Sequence, residues 1–354
     1  MNQEYTQRLK KIEIELERWL PSSLSGNPVN SDSASNFIMP AMFPTDKIFS
    51  GTGNETDVLY KKILLEPAGE LLYRGGKRWR PLLMTLICET LGGGDTSLPL
   101  SPLVEFSHNA SLIHDDIEDQ SDERRGKPAV HKMFGADTAI NSGSFFYFLA
   151  SCCIDNCAFT YKEKIYKLWL ESMRNLHLGQ SMDIYWHRET SIFPEIKDYF
   201  LMCRMKTGSL ARLAAELGAF AANAPPETAR SLSGACEMMG VGFQILDDVK
   251  NLTTGIPGKK RGDDIAENKK SLPVLLFIQK FPEKKADIIR CFDAAKKNGV
   301  NAPEVEEMIN ILAKSGILTE AEEKGMSILK ETREIFDSFG KNNTLLKDFI
   351  DLIS

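Results

Sequence analysis

The stretch FSHNASLIHDDIEDQSDERRGKP, residues 106–128, sets the reading of the whole chain. It joins an apolar run to three carboxylates, Asp115, Asp116 and Asp119, and then to Arg124, Arg125 and Gly126. On a helix the three acids fall at about 0°, 100° and 40° around the axis, so all lean to one side. Like charges crowded into one turn repel each other and need a positive partner. Hard cations with oxygen ligands suit them, and Mg²⁺ shares one or two carboxylates with substrate phosphates. An acidic run is more commonly just a solvated helix face. Here the preceding Ser111-Leu112-Ile113-His114 carries the helix toward the interior, and two arginines before a glycine suit bidentate phosphate binding.

Downstream, GVGFQILDDVKN (240–251) repeats the logic. Gln244, Asp247, Asp248 and Asn251 follow i, i+3, i+4, i+7 spacing along one helical face, flanked by Val241, Phe243, Ile245 and Leu246. Acids on so apolar a helix are costly to bury without a counter-ion. The loop GKKRGDDIAENKKS (258–271) follows, with Lys260 and Lys269 placed to close over a phosphate. If both acid clusters serve one metal cluster, they must face each other across a single bundle.

Upstream, GGKRWRP (75–81) puts Lys77 and Arg80 three apart, expected on one face of a helix starting after the glycine pair. Backbone N–H groups freed at such a helix start suit an anion. His108 lies two turns before Asp115 on the same face. Lys206-Thr207-Gly208 interrupts a helical pattern, a kink with local donors. Gln180 and Asp183, in GQSMDIYW (179–186), are expected to order the same cavity.

The remaining chain reads as helix after helix. Leu9, Ile12, Ile14, Leu16, Trp19 and Leu20 give an amphipathic helix over residues 4–20. A Ser-, Asn- and Pro-rich linker follows at 21–36, read as a mobile loop. Breaks are expected at 91–102, 222–228, 253–264 and 297–304. The spacing predicts an all-α fold, with an N-terminal helix and linker over 1–56 and one helical domain over 57–354. The 354 residues are 42% hydrophobic and carry a net charge of −6. That balance gives no general attraction to nucleic acid or anionic membrane, so an anionic substrate must be met by local cations. Seven scattered cysteines without a CxxC pair suggest reduced thiols, and the charged N-terminus lacks a signal-peptide core. No run approaches the roughly 20 apolar residues of a membrane span. A cytoplasmic location is expected.

In order and spacing, GGKRWRP, SLIHDDIEDQSDERRGKP, GQSMDIYW, KTG, FQILDDVKN and ENKKSLP resemble the trans-isoprenyl diphosphate synthases over residues 75–273. HNASLIHDDIED, the INS at 140–142 and a second motif ending in Asn251 look most like the eukaryotic-type geranylgeranyl diphosphate synthases. The resemblance implies a single large helical bundle of the isoprenoid synthase type around a central cavity, working as a homodimer. It implies that Asp115, Asp116, Asp119, Asp247 and Asp248 bind Mg²⁺, with three ions expected, bridging an allylic diphosphate. Arg124, Lys206, Lys260 and Lys269 would contact that diphosphate. Lys77, Arg80, His108 and Arg125 would bind isopentenyl diphosphate, and Thr207 and Gln244 would lie near the allylic carbons.

Three departures stand out: Gly143-Ser144 where many bacterial relatives have Gly-Asp, the neutral Asn251, and a C-terminal KDFIDLIS without a basic tail. Small residues one turn before Asp115, Ala110 and Ser111, leave room for a long product and suggest C20, with Phe145 to Phe148 as a deeper floor or as ordinary core. Alternatives are the same chemistry with a farnesyl (C15) or longer product, a class I terpene cyclase, which usually lacks the second diphosphate site, a non-catalytic subunit of the same fold, and a helical interaction protein with acidic faces.

Overall fold

The computed structural model describes residues 3–20, 60–255, 260–339 and 344–353. The linker at 21–36, and Gly258 and Lys259 of the cationic loop, lie outside the described residues. In chain order the helices are α1 (Gln3–Glu17), α2 (Glu66–Tyr73), α3 (Trp79–Thr90), α4 (Ser101–Glu118), α5 (Val130–Phe134), α6 (Ala136–Asn156), α7 (Lys162–Arg188) and α8 (Ile196–Cys203). They continue as α9 (Ser209–Ala221), α10 (Pro226–Leu252), α11 (Asp263–Ala266), α12 (Leu272–Lys280), α13 (Lys285–Asn298), α14 (Pro303–Lys314), α15 (Ile317–Phe339) and α16 (Thr344–Ile353). The all-α expectation holds. The only strands among the described residues are β1 (Glu123–Arg124) and β2 (Lys127–Pro128), a minute antiparallel hairpin.

The expected breaks fall where the chain's stop signals sit. α3 ends just before the glycine-rich 91–102 segment, α9 ends before Ala222, and α10 ends at Leu252. α14 starts with Pro303 in its first turn, where a missing N–H costs nothing.

The described chain divides into two compact units. The first comprises Met1–Trp169, Leu213–Ala229 and Asn342–Ile353. Its centre is α4 against α6, where Phe106 stacks on Phe146 at 4.6 Å between ring centroids. α1 buries Tyr5, Ile12 and Leu16, and Trp19 and Leu20 follow it into the core. Ile14 departs from the sequence reading: it points outward and is 54% exposed. The second unit comprises Leu170–Arg212 and Arg230–Lys341. There α10 buries Val241, Ile245, Val249 and Leu252 along one stripe, in a core shared with Phe277 and Phe292. No described helix is long and apolar enough to cross a membrane. All seven cysteines are free thiols.

Candidate active site

The first unit gathers eight of the predicted residues around α4. Its C-terminal turn carries Asp115 and Asp116, and Asp119 follows as the capping residue, still in right-handed helical conformation. The shared lean holds with one distinction. Asp116 is fully buried, while Asp115 and Asp119 are partly exposed. Arg124 turns back onto the acids. Its Nε donates to Asp116 Oδ1 at 2.7 Å, its Nη2 pairs with the same carboxylate, and Nη2 reaches Asp115 Oδ2 at 3.4 Å.

The turn that aims Arg124 and Arg125 is the small hairpin, which the helical reading missed. Arg125 and Gly126 are its two loop residues, with φ of 53° and 74°. Positive φ at both positions is the signature of the tight turn that matches strand twist. Glycine adopts it freely, whereas an arginine there costs on the order of 1 kcal/mol. Arg125 Nη1 donates to Leu71 O at 2.8 Å and Asn109 Oδ1 at 3.3 Å, both neutral acceptors. Among the described residues no carboxylate pairs with it. Burial, joined by Arg78, Arg124 and Arg74 and opposed by Glu105, pulls it down to about 10. It remains a cation at neutral pH, half-buried and held by neutral acceptors.

Lys77 and Arg80 do not share a helical face as expected. The helix begins at Trp79, so Lys77 lies exposed in the connecting segment and Arg80 is buried in the first turn. Arg80 stacks over the Trp79 ring at 4.2 Å and its Nη1 donates to His108 Nε2 at 3.1 Å. Burial, then Arg80, Arg125, Arg124 and Arg78, push the His108 imidazole well below its usual range. His108 is therefore neutral and accepts from Arg80. His108 and Asp115 stand two turns apart on α4, about 10 Å along the axis. α4 thus carries its acids at one end, while two turns back its neutral His108 lies against the cation of Arg80 on α3.

The second unit holds the other predicted residues. Lys206 sits in a π-helical turn, Arg204–Gly208, which confirms the expected irregularity. Gly208 permits it: a Cβ there would lie 2.7 Å from Glu237 O, and one on Gly240 would lie 2.7 Å from Gly208 Cα. The turn thereby presses directly on α10. Lys206 Nζ donates to the buried Asp183 at 2.6 Å, Thr207 Oγ1 donates to Gln244 Oε1 at 2.9 Å, and Gln244 Nε2 donates to Asp248 Oδ1 at 3.0 Å. Asp248 Oδ2 accepts from Tyr199 Oη at 2.7 Å and from Leu272 N at 3.1 Å. Both Asp248 oxygens are thus engaged within the protein, whereas Asp247 is partly exposed. Burial, with Asp264, pushes the Asp248 carboxyl up to about 7 despite its three donors. Lys269 pairs with Glu267 at 2.7 Å, and Lys260 is exposed.

Among the described residues no three His, Cys, Asp or Glu side chains gather closely enough to hold a metal ion by themselves. A cation at either acid cluster would complete its shell with substrate oxygens, the arrangement Mg²⁺ favours.

The sequence model of the family described as polyprenyl synthetase matches residues 61–312. The chain belongs to the polyprenyl synthetase family. It is a trans-prenyltransferase, a prenyl diphosphate synthase. It is 31% identical over 296 residues to a geranylgeranyl pyrophosphate synthase of Neocamarosporium betae, covering 83% of each chain. It is 34% identical over 257 residues to a short chain isoprenyl diphosphate synthase of Methanocaldococcus jannaschii, covering 71% of this chain and 77% of the relative. In fold it resembles a polyprenyl synthase from Caulobacter crescentus, solved with calcium and isoprenyl diphosphate, with a TM-score of 0.77, 22% identity and 99% and 96% coverage.

Two of the departures from the family pattern now have physical accounts. Ser144 Oγ lies 3.3 Å from Nε2 of His114, whose Nδ1 lies 2.8 Å from Ala110 O. The synthase thus sets a neutral hydroxyl beside the residue preceding Asp115. Asn251 is fully buried, and its Oδ1 accepts the N–H of Asp264 at 3.3 Å. It anchors the 260–267 loop, so a neutral amide serves there. Asn251→Asp would bury a further negative charge near Asp248 and Asp264. We expect it to lower stability by about 1–3 kcal/mol, read as a fall in the urea midpoint.

Sequence reasoning overlooked Arg78, Glu105, Asn109 and Tyr199. Arg78 lay hidden between the Lys77 and Arg80 chosen by spacing. A sharper cue was Glu105 and Asn109, polar residues four apart and so on one helical face, which require partners if buried.

Proposed function

We propose that this synthase condenses isopentenyl diphosphate head to tail with an allylic diphosphate, with Mg²⁺, and makes geranylgeranyl diphosphate (C20). The observation that carries the reading is α4, which bears a carboxylate cluster at its end and, two turns back at His108, lies against the buried Arg80, with the half-buried Arg125 bonded to its Asn109. Two diphosphates need two kinds of anion site, one held through metal and one held by side chains alone.

Asp115, Asp116 and Asp119 of the first unit and Asp247 and Asp248 of the second are the residues that would hold Mg²⁺, three ions in all, with Asp116 and Asp248 the most buried of the five. When bound, the metal neutralises the allylic diphosphate and eases its departure. Lys206, Lys260, Lys269 and Arg124 share that anion. Lys77, Arg80, His108 and Arg125 orient isopentenyl diphosphate. As the allylic C–O bond breaks, its electron pair leaves with the diphosphate, and the Thr207 and Gln244 oxygens offer negative dipole ends to the cation left behind. The isopentenyl double bond then forms the new C–C bond. The last proton passes to the released diphosphate, so no dedicated protein base is needed. Chelation with EDTA should abolish turnover and added Mg²⁺ should restore it. Turnover that persists in EDTA contradicts the metal assignment.

Product length rests on Ser111. Ala110 is sealed in the core, whereas Ser111 is partly exposed and donates to His108 O at 2.7 Å. Of the deeper floor, Phe146 belongs to the core stack and Phe148 is 68% exposed, which leaves Phe145 and Tyr147, partly buried, as its candidates. We expect Ser111→Phe to shorten the main product from C20 to C15 or C10, as seen by chromatography of the dephosphorylated alcohols. An unchanged length removes Ser111 from the wall. Ile140 and Phe148, apolar and outward on α6, support a homodimer through that helix, and the free thiols suit a cytoplasmic location.

A further inference from the structure

A buried polar chain runs from the N-terminal helix to Arg125. Arg78 sits at its centre with a left-handed φ of 47°. It is 4% exposed and reaches acceptors on three sides. Its Nε donates to Glu13 Oε1 of α1 at 2.8 Å, its Nη1 to Glu105 Oε1 of α4 at 2.8 Å, and its Nη2 to Leu72 O at 2.6 Å. Glu105 Oε1 also accepts from Asn109 Nδ2 at 2.9 Å. That bond fixes the direction of the Asn109 amide, so its carbonyl faces Arg125 Nη1.

This order of charges has a consequence for the anion site. Glu105 is the nearest buried carboxylate on α4, yet Arg78 occupies it. Arg125 is left with neutral dipoles, which orient a guanidinium without cancelling its charge. The segment held by Arg78 also touches Arg125 directly: a Cβ on Gly76 would lie 3.1 Å from Arg125 Nη2. Moving residues 75–78 would therefore shift both Arg125 and Lys77.

Glu13 lies outside the span matched by the family model, which begins at residue 61. α1 is fixed independently of it. Arg8 forks onto Glu89 of α3 at 2.8–3.0 Å, Lys11 pairs with Asp95 at 2.6 Å, and Tyr5 Oη donates to Leu345 O on α16. Glu13 is thus spare as an anchor for α1 and specific as a partner for Arg78.

We infer that α1 is a working part of the isopentenyl diphosphate site: Glu13, through Arg78, Glu105 and Asn109, is a positioning residue for Arg125 and Lys77. The inference rests on the site proposed above. It is tested by calorimetric binding of isopentenyl diphosphate to the full chain in Mg²⁺ without an allylic primer, where no turnover occurs. Glu13→Gln raises the Kd about fivefold, the scale of a half-exposed ion pair. Its KM for the allylic diphosphate stays within about twofold. Arg8→Gln, which loosens α1 elsewhere, leaves the Kd within about twofold. In an Arg125→Gln background the Glu13→Gln effect shrinks, as coupled residues require. An unchanged Kd in Glu13→Gln, or an equal rise in Arg8→Gln, overturns the inference and leaves the function standing. A wild-type chain that does not bind isopentenyl diphosphate overturns the functional reading, and this inference with it.

Discussion

Asp115→Asn lowers kcat by roughly 10³-fold or more while leaving the fold intact. That is about 4 kcal/mol of transition-state stabilisation, a reasonable share for a residue that holds a catalytic metal. Asp115 is partly exposed, stands beside Asp116 and Asp119 and meets Arg124 only at 3.4 Å, so the repulsion relieved by removing its charge offsets that long contact and the thermal midpoint stays level. Asp116→Asn behaves differently. Asp116 is buried against Arg124, and the loss of that charge leaves Arg124 short of its main partner. The midpoint then falls along with activity, because an uncompensated buried charge is strongly destabilising. Steady-state kinetics and thermal melts on the two variants separate the roles. Equal kinetic losses with equal falls in midpoint would show that Asp115 is structural as well.

Arg125→Lys raises the KM for isopentenyl diphosphate by about 30- to 100-fold and leaves the KM for the allylic primer near its original value. The magnitude follows from losing a fork of charge-assisted hydrogen bonds, about 2–3 kcal/mol. A lysine keeps the charge but not the planar donors that now reach Leu71 O and Asn109 Oδ1. Because Arg125 pairs with no carboxylate among the described residues, the change breaks no ion pair, and the melting temperature should move little. Raising salt should weaken isopentenyl diphosphate binding in both forms. A parallel rise in the allylic KM would place Arg125 at the other diphosphate.

Much of the site was legible because periodicity fixes direction. Asp115, Asp116 and Asp119 lean together since a helix allows nothing else, and Gln244 meets Asp248 because they are one turn apart. Chain breaks were equally readable, since glycine and proline act locally. What failed was whatever depends on contacts distant in sequence. Lys77 and Arg80 were assigned one face, but Arg78 takes a left-handed conformation held by Glu13 and Glu105, and the helix starts only at Trp79. The run Phe145–Phe148 was ambiguous for the same reason, since only packing decides that Phe146 meets Phe106. Burial also separates acids that the sequence treats alike: Asp248 is tied to Tyr199 and Leu272, while its neighbour Asp247 is left partly exposed. The hairpin that presents Arg125 is too short to leave a strand pattern, and its one local clue was the Arg-Gly pair.

The most direct test is incubation of the purified chain with labelled isopentenyl diphosphate, Mg²⁺ and each of the C5, C10 and C15 allylic primers, followed by chromatography of the dephosphorylated products. A linear C20 alcohol, formed only when both isopentenyl diphosphate and Mg²⁺ are present, is the predicted result. Cyclic hydrocarbon formed without isopentenyl diphosphate, or no Mg²⁺-dependent incorporation of label with any primer, would contradict it.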